Sequence, residues 1–320
     1  MARAGSLLAA RRLLPAHRAQ PYTLAEPPSP RTARVIAMLI DFRVRPPYKT
    51  NLTTSLYNKP APSPDPTKQS IFLIGKERVP SAEARSIELF MQEMDETETE
   101  RAVIMGRKAD EYGSVDNDEI DELARAYPGR FIPFAGVNPN LPGQVEEIER
   151  VAAMGFRGVG IDAGWLRRPL YHDDPVFDPI YAKCQELGMI VSLTSSFMLG
   201  PDLSYSEPCA IQRVAMKYPN MKIVVPHGCW PHVHTALAVA IRCPNVYLMP
   251  DCYIYIDGFA LSDEYIKAAN TYLKYRILYA SSYPVRSLSQ CLRGWKSRGF
   301  TDEALQNTLY DNAARLLGEK

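Results

Sequence analysis

From Met38 onward the chain alternates short runs rich in β-branched and other apolar residues with longer stretches whose apolar positions recur every three or four residues. The first kind predicts strands at Leu39–Phe42, Ala102–Met105, Phe131–Val137, Gly158–Ile161, Ile190–Leu193, Ile223–Pro226, Val246–Leu248 and Ile277–Ala280. The second predicts amphipathic helices between them. Ile87, Phe90, Met91 and Met94 form one such stripe, Phe177, Ile180, Tyr181 and Cys184 a second, and Ile211, Val214, Ala215 and Tyr218 a third. Asp178-Pro179 and Ser206-Glu207-Pro208 read as helix entries, with capping residues and a first-turn proline. Eight strand–helix units favour an α/β fold of the single-domain (β/α)8 TIM-barrel type over 38–320. An open doubly wound sheet would want a Gly-rich phosphate turn after an early strand, and there is none. Asp302–Leu317 reads as a closing helix.

Two segments fall outside the pattern. The stretch from Pro46 to Pro80 is rich in Pro, Ser and Lys. Following the first strand, it would lie on the catalytic face and serve as a lid or as the contact of a homodimer. Residues 1–37 carry Arg3, Arg11, Arg12, Arg18, Arg31 and Arg34 against one acid, Glu26. They read either as a transit peptide or, the favoured reading, as an upstream extension with Met38 as the start of the folded part.

Composition narrows the function. The 320 residues are 46% hydrophobic and 23% charged, with a formal net charge of +1. Beyond the N-terminus no basic stripe with interleaved aromatics marks a nucleic-acid surface, and no apolar run approaches a membrane span. The expected partner is a small molecule, with neither nucleic acid nor membrane. Cys184, Cys209, Cys229, Cys243, Cys252 and Cys291 are scattered without metal-binding spacing, and read as reduced structural thiols of a cytoplasmic protein.

The candidate chemistry sits at strand ends. Arg43 and Arg45 close the first strand two residues apart, and so deliver two guanidiniums to one face. A guanidinium has no lone pair to give a metal and binds oxyanions instead. His227 ends the sixth strand ahead of Gly228 and is the best general-base candidate, with Asp251 after the seventh strand to orient it. Asp162 after the fourth strand offers an acid, with Trp165 as an aromatic wall. Thr194, Ser281 and Ser282 offer hydroxyls to a substrate; Ser-Ser-Tyr-Pro is not a nucleophile elbow. Each of these residues has an ordinary structural alternative: internal ion pairs for the arginines, hydrogen bonding alone for His227, helix capping for the aspartates. His232 and His234 read as surface or packing residues.

Four segments together resemble a known family. Ile40-Asp41-x-Arg43-x-Arg45, Val224-Val225-Pro226-His227-Gly228-Cys229-Trp230-Pro231, Leu278-Tyr279-Ala280-Ser281-Ser282-Tyr283-Pro284 and Asn312-Ala313-Ala314-Arg315-Leu316-Leu317 are similar to the amidohydrolase-related barrels. The closest likeness is to the branch of aminocarboxymuconate-semialdehyde and resorcylate decarboxylases and their hydrolase cousins. Asp174–Met189 shares that likeness. The resemblance implies two histidines on strand one, one after strand five, one at the end of strand six and an aspartate after strand eight, together holding a metal. This chain has Arg43, Arg45, Thr194, His227 and Ser282 there. With one of five positions kept, no metal and no other cofactor is expected. The implied activity is metal-independent hydrolysis of a small carboxylated compound, such as a lactone or ring-cleavage product. Non-oxidative decarboxylation of a carboxylated aromatic or enol acid, and a catalytically inactive binding barrel, are the alternatives.

Overall fold

The structure, a computed structural model, describes residues 38–59, 63–256 and 258–320; the expectation for residues 1–37 lies outside them. Seven parallel strands form one sheet in chain order: β1 (Leu39–Val44), β2 (Thr99–Met105), β3 (Phe131–Gly136), β4 (Gly158–Ile161), β5 (Ile190–Leu193), β6 (Ile223–Pro226) and β7 (Val246–Met249). Every strand is parallel to its neighbour, so each step needs a crossover. The crossovers carry α1 (Ile87–Glu96), α2 (Asn117–Ala126), α3 (Gln144–Ala153), α4 (Asp178–Glu186), α5 (Pro208–Lys217), α6 (Val233–Arg242) and α7 (Ser262–Asn270). The apolar stripes of α1, α4 and α5 face the sheet: Phe90, Met94, Ile180, Cys184, Ile211 and Val214 are buried.

The expected eighth strand at Ile277–Ala280 is not a strand. That segment makes one isolated parallel bridge, Leu248 to Ile277, and a second, Val44 to Tyr283, follows three residues past its end. It still joins the edges of the sheet. Leu278 N donates to Leu248 O at 3.0 Å and Phe42 N to Tyr279 O at 3.1 Å. The α8 helix (Leu288–Lys296) follows, started by Ser287 accepting from Gln290 N. The closing helix is also interrupted: α9 (Asp302–Gln306) runs through a π-turn, Asn307–Asp311, into α10 (Asn312–Leu316). The prolines at the starts of α4 and α5 sit in the first turn as expected, but neither Asp178 nor Glu207 caps through its side chain.

Inside the ring, Ile40, Phe42, Val103, Met105, Phe134, Val224, Met249 and Leu278 pack into one cluster with Ala313, Ala314, Leu316 and Leu317 of the closing helix. The inner cluster fills the ring and leaves only the strand C-terminal ends for chemistry. There β2 and β3 approach closely. A Cβ on Gly106 would lie 2.2 Å from Gly136 N, so only glycine fits before Arg107. All six cysteines are free. No helix among the described residues is long and apolar enough to cross a membrane.

Candidate active site

A bulge in β1 aims the first strand's arginines. Asp41 pairs with Ala102 and Val44 with Ile104, so three steps on β1 match two on β2. The extra residue breaks the alternation, and Arg43 turns into the site after the inward-facing Phe42. Arg43 Nη1 lies 3.1 Å from His227 Nε2, 3.1 Å from Asp251 Oδ2 and 2.9 Å from Ser282 Oγ. A guanidinium can only donate, so Nε2 of His227 accepts. The imidazole proton therefore sits on Nδ1 and is donated to Asp251 Oδ1 at 2.8 Å. Burial first, and the Arg43 charge as well, push the His227 pKa down against the pull of Asp251. Burial would raise the Asp251 carboxyl, but His227 and Arg43 hold it well below the usual carboxylate range.

His227, Asp251 and Ser282 all have positive φ, at 65°, 36° and 55°. For such residues this backbone costs energy, and it recurs where side chains must be aimed. Gly228 continues the turn at φ 58°, where a Cβ would lie 2.8 Å from Tyr265 Oη.

A second ion pair, not foreseen from the sequence, stands beside the first. Arg107, two residues past β2, donates from Nε to Asp162 Oδ2 at 3.1 Å, and its guanidinium lies 4.8 Å over the Trp165 ring. Asp162 is buried, which alone would raise its pKa. The charges of Arg107 and Arg45 and a bond from Thr194 outweigh that and hold it at about 2. An acid ionised down to that pH has no proton to give near neutrality. Asp162 is therefore a counter-ion here rather than the acid expected from sequence, and Trp165 packs on Arg107. Ser281, expected to bond substrate, is committed to Asp41 and to Tyr283 N. His232 and His234 lie away from the cluster, half-buried and exposed.

Among the described residues Arg45 makes no ion pair, though the charges of Asp162 and Asp251 favour its cation. It is 3% exposed, and its Nε and Nη2 have no hydrogen-bond partner. Burial, then the charges of Arg107 and Arg43, disfavour its cationic form. Asp41 does not compensate. It accepts from Arg43 N and Ser281 N, and burial raises its pKa to about 6. Over the site lies an aromatic roof. Phe72, from the long loop after β1, stacks on Phe197 and tilts against Tyr253, with ring centroids 6.2 Å apart in both cases. Tyr253 also meets Trp230 at 5.3 Å and the His227 ring at 5.6 Å.

The amidohydrolase family model matches residues 49–318. The chain belongs to that family. The match starts after β1, so the strand bearing Arg43 and Arg45 lies outside it. Among solved structures, an uncharacterized TIM-barrel protein of Bordetella bronchiseptica is 32% identical, with TM-score 0.81, over 88% of this chain and 99% of its own. Two more distant amidohydrolase-like structures share the fold. One is a probable 2-pyrone-4,6-dicarboxylic acid hydrolase of Acinetobacter baumannii with citric acid bound, at 14% identity and TM-score 0.58, over 88% and 98% of the two chains. The other is a 5-carboxyvanillate decarboxylase of Novosphingobium aromaticivorans complexed with manganese, at 17% identity and TM-score 0.59, over 88% and 95%. No curated protein matches the chain.

Among the described residues, His227, Asp251 and Cys252 bring ligand atoms within 4.8 Å of one another. They do not fit an ion as they stand. Nδ1 of His227 is spent on Asp251, Nε2 and Asp251 Oδ2 are covered by Arg43 Nη1, and burial keeps the Cys252 thiol protonated. A divalent ion there would also meet a fixed positive charge.

Proposed function

We propose that the protein is a metal-independent hydrolase acting on a small carboxylated compound, with Arg45 as the anchor for the substrate anion. The observation that carries this reading is the buried Arg45 guanidinium, whose Nε and Nη2 lack partners while Arg43 and Arg107 each have an aspartate. Buried guanidinium N–H groups left without acceptors are costly, and a carboxylate entering the site satisfies them. The pyrone dicarboxylate and carboxyvanillate in the names of the two distant structures are carboxylated ring compounds of the kind this polarity suits.

In this reading the substrate oxyanion draws Arg43 away from His227. Nε2 is then free to take a proton from water, while Asp251 holds Nδ1–H and stabilises the imidazolium that forms. The hydroxide attacks the carbonyl, Arg43 faces the developing oxyanion, and His227 returns its proton to the leaving oxygen.

The test is a panel of carboxylated lactones and carboxylated ring acids. Proton release without carbon dioxide is expected. Carbon dioxide release would instead identify a decarboxylase, and thermal shifts without turnover a binding barrel. A charge-assisted bond contributes about 1.5–3 kcal/mol, so Arg45→Met is expected to weaken carboxylate binding roughly ten- to a hundredfold. Unchanged affinity in that variant sinks the proposal.

A further inference from the structure

We infer that a second anion seat lies where the loop after β1 meets the start of α8, built from Arg286, Lys76 and Lys59, and that it takes a carboxylate or phosphate group. Arg286 stands just ahead of α8 and is 1% exposed. Its Nη2 donates to Ile74 O at 2.6 Å, which sets a cation on a neutral carbonyl, and its Nε is buried without a partner. Gln290 Nε2 holds the next carbonyl, Gly75 O, also at 2.6 Å. Gly75 turns the chain at φ 59°, so Lys76 follows directly on the contact with Arg286 and is half-buried there. Among the described residues none of these three side chains makes an ion pair, and neither ammonium donates a hydrogen bond.

The electrostatics agree. Burial, then the Arg286 charge, lower the Lys76 pKa. Desolvation, then the Lys76 charge, bring Lys59 down to about 8, although much of its side chain is exposed. A cation whose pKa is depressed by another cation is a like charge held close to it. The nearby acids are committed elsewhere. Glu77 pairs with Arg293 at 2.7 Å, and Glu83, whose charge does favour the Lys76 cation, pairs with Arg78 at 2.6 Å. Cations gathered without an acid of their own repel, and an incoming anion offsets that repulsion while accepting from the orphaned Nε–H. The Cys252 thiol, next to Asp251, also acts on Lys59, which sets the seat at the edge of the mouth. Two sources share this chemistry: a second acidic group on the substrate anchored at Arg45, and a free inorganic anion. The seat itself does not depend on the hydrolase reading, because none of its residues touches Arg45 or His227.

The test titrates the full chain with inorganic phosphate at constant ionic strength, read by calorimetry and by Tm. It is run on the wild type and on Arg45→Met, so that the substrate anchor is not counted. Arg45→Met is expected to bind one phosphate still, with a Tm that rises with phosphate. Adding Lys59→Gln and Lys76→Gln, which leave the Arg286 strap in place, is expected to weaken that binding roughly ten- to a hundredfold. Arg286→Gln should do the same; if it fails to fold, the lysine pair carries the test. An Arg45→Met protein that binds no phosphate overturns the inference, and so does a lysine-pair variant that binds it as tightly as its parent. Citrate separates the two sources. Citrate that loses affinity in both Arg45→Met and the lysine-pair variant spans both positions, and the seat serves the substrate. Citrate and phosphate bound together in the wild type assign the seat to a free anion. Unchanged carboxylate affinity in Arg45→Met sinks the hydrolase reading and leaves the seat standing.

Discussion

At the scale of single residues, the site is an exercise in buried charge. Arg43 and Arg107 pair with Asp251 and Asp162, while Arg45 keeps two buried N–H groups without partners. His227 supplies the readout in pH. Its pKa lies below the ordinary 6.5 because burial, and then Arg43, disfavour the imidazolium. A base must be neutral to act, so activity is present above the folded pKa and lost as pH falls through it. The expected kcat/KM profile is flat from neutral down past 6.5, with its acid limb below that value. A limb at or above 6.5 would assign the base to another group. His227, Asp251, Asp162, Thr194 and the two arginines after the first strand stand at strand ends, and Ser282 just past Ile277–Ala280, which is why the sequence put them forward. Arg107 stands at one too, but it follows Met105-Gly106 and looks like any basic loop residue. The signal that could have exposed it is Gly106, which marks a close backbone approach that places the next side chain in the mouth.

Elements bring these residues together, and the loop after β1 covers them. Its far end is strapped to the α8 region. Arg286 Nη2 donates to Ile74 O and Gln290 Nε2 to Gly75 O, both at 2.6 Å, and Glu77 pairs with Arg293 at 2.7 Å. Phe72 thereby sits against Phe197 and Tyr253 as part of the roof, with few other attachments. An aromatic pair contributes about 0.5–1.5 kcal/mol, so Phe72→Ala is expected to raise KM roughly two- to tenfold. Because Phe72 is only half-buried, Tm should barely move. A large fall in Tm with unchanged KM would make Phe72 a packing residue instead. The lid reading of this loop came from its position and length. The strap did not, since Arg286, Gln290 and Arg293 show only helical spacing. Seven strands were readable because β-branched and other apolar residues form short runs there. The eighth run has the same composition, but it pairs through isolated bridges, and composition cannot separate those cases.

For the whole molecule, the ring closes through the segment around Ile277–Ala280, and the chain's last helix holds that segment in place. The π-turn Asn307–Asp311 lengthens the helical hydrogen-bond step and leaves Thr308 O to accept from Tyr279 N at 3.0 Å. Thr308 Oγ1 takes the Trp295 indole N–H at 3.1 Å, which pins α8 to the same turn. One turn further, Asn312 Nδ2 donates to Ile277 O at 2.8 Å and to Lys274 O at 2.9 Å. Asn312 is fully buried, so its removal strands the buried Ile277 carbonyl, while Lys274 O can turn to water. An unsatisfied buried carbonyl costs about 1–3 kcal/mol, which is the loss expected for Asn312→Ala. A barrel whose seam is held by this helix unfolds as one unit, so Tm should drop by roughly 2–6 °C in a single transition. Turnover well below that Tm should be unchanged, because Asn312 touches none of Arg43, Arg45, His227 or Asp251. Two separated transitions, or a Tm equal to that of the wild type, would mean the ring closes without the helix.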